Sequence, residues 1–164
     1  MIGRSRAREI VFQILFQGEF QPAQARIDEL EFIANRLQGN DKLIAFAQNL
    51  LAGVRSQQPQ IDEKLKVCAK NWSMHRMAPT DRSALRLGAY EIIYADTPAQ
   101  VAINEAIELA KRFGTESSGS FVNGILDRLI KDQNLAASPE TMGQDNLSTP
   151  DQAGEQLAKN ELTH

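Results

Sequence analysis

Side chains able to catalyse a reaction are few in this sequence and poorly spaced for one. Histidine occurs only at His75 and His164, and the single cysteine is Cys68. A nucleophile would therefore have to use His75, which has no nucleophile motif around it. The ligand spacing of a zinc site and the glycine loop of a phosphate site are both missing. The sequence thus argues against an enzyme and predicts no metal or cofactor.

Two carboxylates one helical turn apart, Glu105 and Glu108, are the remaining candidates for acid–base chemistry. Lys111 and Arg112 follow Glu108 by three and four residues, which is the spacing of exposed ion pairs on a helix. The sequence therefore favours a structural role for this pair.

Arginines followed by phenylalanines near the N-terminus form a pattern that suits RNA. Arg4, Arg8, Phe12 and Phe16 are four residues apart, so they form one ridge on a helix, and Arg6 projects beside it. Guanidinium groups contact phosphates, and aromatic faces accept unpaired bases. An alternative stays open, in which the arginines are solvated and both phenylalanines lie in the core or an interface.

Apolar residues spaced by three and four predict seven helices, and therefore an all-α fold. The predicted helices cover about residues 4–17, 27–37, 41–54, 61–72, 79–92, 102–113 and 118–132. Asp41 is predicted to cap the third helix, Pro59 to separate the third from the fourth, and Gly114 to adopt a left-handed turn. The folded part then divides into subdomains of about residues 1–58 and 59–132.

The negative charge of the chain is concentrated at its C-terminus. The net charge is −3, but residues 133–164 carry five carboxylates against one lysine, and residues 1–132 carry a net +1. This last segment is rich in Ser, Thr, Pro, Gln and Asn, and such a composition buries too little apolar surface to offset its ordering entropy. We predict a disordered, acidic-polar tail over residues 133–164. The acidic total therefore does not exclude a local basic RNA site.

The sequence also predicts a cytoplasmic location. No apolar run approaches the ~18–20 residues of a membrane span. The basic start of the chain precedes an apolar stretch that is too short for a signal peptide. A single cysteine forms no intramolecular disulfide, which agrees with this location.

Several motifs resemble the NusB family of transcription antitermination factors. The first is the spaced set Trp72, Arg76, Asp81-Arg82, Leu85-Arg86-Leu87 and Tyr90-Glu91. The others are Val101-Ala-Ile-Asn-Glu-Ala-Ile-Glu-Leu-Ala-Lys111, Phe113-Gly114, Phe121-Val-Asn-Gly-Ile-Leu-Asp127, Arg8-Glu9 and Gln13-Ile-Leu-Phe16. The resemblance extends over about residues 4–131, which is nearly all of the predicted folded part.

The resemblance implies an all-α fold of two packed subdomains, without catalytic activity or cofactor. It implies binding to boxA, a short single-stranded RNA element of ribosomal RNA leaders, as a heterodimer with NusE, a small-subunit ribosomal protein. It also implies assembly with NusA, NusG and RNA polymerase, which suppresses premature termination. The open alternative is a helical adaptor that bridges proteins without binding RNA directly.

The RNA site implied by the resemblance begins at the N-terminal helix. The family's arginine-rich start maps onto Arg4, Arg6 and Arg8, which are expected to contact phosphates. Phe16 and Phe121 are candidates for stacking platforms or supports beside them. The competing expectation places both phenylalanines in the core.

The partner surface is expected on the fourth and fifth predicted helices, where the resemblance places NusE. Its residues are Trp72, Arg76, Asp81, Arg82 and Arg86. Trp and Arg are enriched at interface hot spots. Two of the arginines, Arg82 and Arg86, are four residues apart and repel each other on an isolated helix, and an acidic or carbonyl-rich partner would relieve that repulsion. Alternatively, Trp72 continues the apolar stripe of its helix into the core.

Overall fold

The computed structural model describes residues 3–21, 28–70 and 72–137, and these ranges contain helices and no strands. The α-helices are α1 (Arg4–Gly18), α2 (Glu29–Arg36), α3 (Asp41–Cys68), α4 (Pro79–Tyr94), α5 (Ala99–Phe113) and α6 (Ser118–Ala137). A short 3₁₀ helix, Met74–Arg76, precedes α4. The predicted all-α fold is confirmed, with six α-helices in these ranges instead of seven.

The helix count differs because the predicted break at Pro59 is wrong. Pro59 lies inside α3, which is continuous over 28 residues. A proline within a helix leaves the carbonyl four residues earlier, here that of Arg55, without its usual donor. Pro59 is exposed, so water can reach this part of the helix. The expected subdomain boundary at residue 58 therefore falls within a helix that packs against both α1 and α4.

Two predicted helix ends also differ in detail. The cap of α3 is Asn40 and not Asp41, because the Asn40 side chain accepts the backbone N–H of the first turn. Gly114 is extended, with φ of −96°, and not left-handed. A Cβ at Gly114 would meet the Ser118 side chain and come within 2.7 Å of the Ala110 carbonyl oxygen. Glycine is needed there for close approach and not for its backbone angle.

The end of α6 lies beyond the predicted start of the tail. The helix continues to Ala137, so residues 133–137 are helical. The rest of the predicted tail, residues 138–164, lies outside the described residues.

The core is built on α1 and α4. On α1, Ile10, Val11 and Phe12 are at most 2 % exposed, and the helix contacts α2, α3, α4 and α5. Burial of each such side chain stabilises the fold by roughly 1.5–3 kcal/mol. On α4, Gly88 allows close packing, because a Cβ there would come within 2.7 Å of Leu126. None of the helices in the described ranges is long and apolar enough to cross a membrane.

Candidate nucleic-acid and partner surfaces

Two of the three N-terminal arginines remain accessible. Arg4 is exposed, and its guanidinium carbon lies 4.8 Å from the centre of the Phe46 ring. The Arg6 side chain is 34 % exposed, and its Nη1 donates to Glu9 Oε1 over 2.7 Å. Both guanidinium groups can therefore turn towards a phosphate at the start of α1.

Arg8 is buried, so the expectation that it contacts phosphate is not met. The residue is 3 % exposed, and its Nε donates to both carboxylate oxygens of Glu91, over 3.0 and 2.9 Å. Thr97 Oγ1 donates to the same carboxylate over 3.0 Å. Glu91 is 1 % exposed. A buried charge persists only when it is paired and hydrogen-bonded, and this pair joins α1 to α4.

Of the predicted ridge on α1, only Arg4 is exposed, and the side chains from Arg8 onwards are buried or half-buried. The Phe12 ring is 2 % exposed and stacks on Phe113, with 5.1 Å between ring centroids. Phe16 is half-buried and contacts the edge of Phe20. An open pocket of about 400 Å³ beside Phe16 is lined by four phenylalanines and four polar residues; we call it the Phe16 pocket. Its lining residues are Phe12, Gln13, Phe16, Gln17, Phe32, Arg36, Thr80 and Phe113.

Basic side chains continue from α1 across the end of α5. Glu9 accepts hydrogen bonds from Arg6 and also from Arg112 Nη1, the latter over 2.9 Å, and the Arg112 side chain is 64 % exposed. Lys111 lies over Gly119, since a Cβ there would come within 2.8 Å of Lys111 Cγ. The sequence assigned Lys111 and Arg112 to ion pairs within their helix. Local spacing could not predict the contact between Arg112 and Glu9, because these residues are 103 positions apart.

Trp72 and Phe121 lie against each other, although the sequence assigned them to different surfaces. Their ring centroids are 5.7 Å apart with an edge-to-face angle of 71°. Trp72 is 54 % exposed, so the alternative that placed it in the core is wrong. Phe121 is half-buried and packs against the core. The expected RNA surface and the expected partner surface therefore meet at this ring pair.

A groove of about 330 Å³ runs beside the ring pair, between the end of α3 and the first half of α6; we call it the Trp72 groove. It is lined by Ala69, Lys70, Trp72, Ser120, Phe121, Gly124, Ile125 and Arg128. Arg128 Nη1 donates to the carbonyl oxygen of Cys68 over 2.9 Å, which caps the end of α3. Lys70 has a φ of +28°, which is strained for a residue with a side chain. Two cations and two aromatic rings thus surround one concave surface.

Two of the predicted partner residues are already neutralised within the chain. Arg82 and Arg86 both bind Glu19, and Arg86 also makes two hydrogen bonds to Asp62, over 2.8 and 2.9 Å. Arg82 also donates to the backbone carbonyls of Met74 and Met77. The hydrogen bonds to Glu19 raise the pKa of Arg82 above its ordinary value. The prediction that an acidic or carbonyl-rich partner relieves their repulsion is wrong, because Glu19, Asp62 and two backbone carbonyls of this chain already do so.

The other two charged partner candidates differ in exposure. Asp81 is 9 % exposed, and its Oδ1 has no hydrogen-bond partner among the described residues, so this carboxylate is not the surface group that was expected. Arg76 is exposed at the end of the 3₁₀ helix. Trp72 and Arg76 are therefore the exposed members of the predicted partner set.

Within the described ranges, no cluster of His, Cys, Asp and Glu is arranged to hold a metal ion.

Comparison with known proteins agrees with this architecture. The sequence pattern of the NusB family matches residues 5–131. The transcription antitermination protein NusB of Pseudothermotoga lettingae is 40 % identical over 135 residues, which are 80 % of this chain and 93 % of that protein. The solved structure of T. maritima NusB is 38 % identical, with a TM-score of 0.70, over 80 % of this chain and 92 % of that one.

A more distant structure has the same fold in a complex. The antitermination factors NusB and NusE were solved together with double-stranded RNA, and one chain there is 23 % identical to this one. Its TM-score is 0.66, over 79 % of this chain and 96 % of that one. The helical fold and the extent of these matches define the class of the protein, which is a transcription antitermination factor. Within that class, the chain belongs to the NusB family.

Proposed function

We propose that this protein binds boxA-type single-stranded RNA of ribosomal RNA leaders together with NusE, and so helps RNA polymerase to suppress premature termination. In this proposal, NusA and NusG complete the assembly, and the assembly forms in the cytoplasm. The observation that carries it is a set of accessible basic and aromatic side chains on neighbouring elements: Arg4 and Arg6 on α1, Arg112 joined to α1 through Glu9, Lys111 against Gly119 of α6, and the Trp72–Phe121 ring pair. The related complex of NusB, NusE and double-stranded RNA supports NusE and RNA as partners, whereas the preference for a single strand rests on the accessible aromatic rings described next.

RNA contacts in this proposal come from accessible groups only. Arg4 and Arg6 bind phosphates, Arg112 extends the same surface, and the Trp72–Phe121 ring pair stacks unpaired bases. Arg8 positions α1 and does not contact RNA. A single strand fits this arrangement better than a duplex, because bases must be unstacked to reach an aromatic face.

A salt titration of RNA binding tests the proposal. For the variant Arg4→Ala/Arg6→Ala, the slope of log K against log salt should flatten by about 1.4, at ~0.7 per phosphate on a single strand. Arg36→Ala, which removes an exposed arginine of the Phe16 pocket, should keep the parent slope. Pairing the boxA strand with its complement should abolish specific binding. If both variants behave like the parent, the start of α1 does not bind RNA, and a purely protein-bridging adaptor becomes the better explanation.

NusE is proposed to contact the Phe16 pocket at the start of α4. The pocket is open and apolar, and Thr80 brings it next to the segment in which the partner was expected. Phenylalanine is among the residue types that are enriched at protein interfaces. Phe16→Ala should weaken NusE capture at least tenfold and leave the salt slope for RNA alone unchanged. Equal loss of both activities, together with a lower melting temperature, would indicate that Phe16 is an ordinary core residue.

A further inference from the structure

The Trp72 groove combines two cations, which no carboxylate contact within the described ranges neutralises, with an exposed apolar surface. Lys70 and Arg128 line it, and neither side chain forms an ion pair with a carboxylate of residues 3–21, 28–70 or 72–137. The half-exposed ring of Trp72 and the ring of Phe121 line the same groove. A ligand that suits this groove is an acidic segment with apolar anchors.

The C-terminal segment of this chain has that composition. Residues 138–164 contain five carboxylates and one lysine, a net charge of −4. Within them, Leu157 and Leu162 are flanked by Glu155 and Glu161. We infer that the segment around Leu157 and Leu162 docks in the Trp72 groove of the same molecule and competes there with RNA.

The distance that the segment must span supports this assignment. The part of the groove on α6 runs from Arg128 to Ser120, so its far end lies about 26 Å from Ala137 at a rise of 1.5 Å per residue. Leu157 follows Ala137 by about 20 residues, and an unstructured chain of that length has a root-mean-square span of roughly 25 Å. Effective concentration is highest when these two lengths agree, and it is then on the order of 1 mM. A weak intrinsic affinity is therefore sufficient for docking.

The single tryptophan of the chain reports directly on this contact. Trp72 lines the groove, and the chain contains no second tryptophan. Removing residues 138–164 should shift the tryptophan emission to longer wavelength and increase its quenching by acrylamide. The variant Leu157→Ser/Leu162→Ser should do the same although its net charge is unchanged. Moderate salt should weaken docking in the full chain and so shift its tryptophan emission to longer wavelength. The emission of the truncated chain should depend less on salt.

Competition with RNA gives the second measurement and rests on the proposed function. If the groove is free in about a tenth to a half of the molecules, deletion of the segment tightens RNA binding about two- to tenfold. The leucine variant should tighten RNA binding by a similar factor. If the acidic segment acted only by long-range repulsion, this variant would bind RNA like the parent, because its net charge is unchanged. Because emission is measured without RNA, failure of RNA binding leaves the docking result intact.

Three outcomes would overturn the inference. The first is identical emission and quenching in the full chain and the truncated chain. The second is a leucine variant that emits like the full parent chain, since apolar anchoring would then be absent. The third is an emission shift that depends on protein concentration, because the occupant of the groove would then be a second copy of the chain.

Discussion

Replacing Arg8 by methionine should destabilise the protein strongly, although the sequence placed this residue on an RNA-binding surface. Glu91 is 1 % exposed and would keep only the hydroxyl of Thr97 as a donor. Breaking a buried ion pair by removing one partner costs about 3–5 kcal/mol. With a slope of about 2 kcal/mol per molar urea, the unfolding midpoint should fall by roughly 2 M. Urea titrations followed by circular dichroism measure this change.

The double variant Arg8→Met/Glu91→Leu separates a buried pair from an RNA contact. Replacing both partners by apolar groups of similar volume is often neutral or stabilising, so most of the lost stability should return. The salt dependence of RNA binding should equal that of the parent protein. A single variant within 1 kcal/mol of the parent, or a double variant whose RNA slope flattens, would refute the buried role of Arg8.

Two further perturbations test the packing. Gly88→Ala should lower the free energy of unfolding by about 1–3 kcal/mol, because a Cβ would come within 2.7 Å of Leu126. In Gly124→Ala the new Cβ on α6 meets nothing within 4 Å, so the free energy of unfolding should rise by about 0.5–1 kcal/mol. Thermal unfolding of the two glycine variants measures the difference, and equal changes in melting temperature would contradict the packing described for Gly88. Burial, aided by Asp132, raises the pKa of the Cys68 thiol from 9.0 to about 11. The folded state then holds a proton that the unfolded state loses, so stability should decline as the pH rises from about 9 to 11. Rapid thiol labelling of the folded protein at pH 8 would contradict this.

The helices were predictable because each has a regular apolar stripe of its own. The segment 79–92 is an example, since it opens with Pro79 at a first-turn position and continues as α4. The prediction at Pro59 was wrong because it considered only the restriction that proline places on the preceding residue, whereas α3 has buried side chains on both sides of the proline. The apolar positions Leu51, Val54, Ile61 and Leu65 continue one buried face across the proline.

The candidate site was less predictable because charge pairing depends on residues far apart in the chain. Arg8 and Arg4 have the same type and lie one turn apart, yet Arg8 is buried against Glu91, 83 residues away. Arg82 likewise finds Glu19, 63 residues away. Helical spacing places a side chain on a face, but it does not show which neighbouring helix covers that face.

The contact between Glu9 and Arg112 has a consequence for how the protein is made. Its two residues are 103 positions apart, so α1 leaves the ribosome long before α5 exists. At about 5–20 residues per second, the first helix waits on the order of 5–20 s for its partners. During that time α1 can already pack on α2, α3 and α4, but its contact with α5 has to wait. The proposed RNA surface, which joins α1 to α5, is therefore assembled later in synthesis than the core that α1 forms with α3.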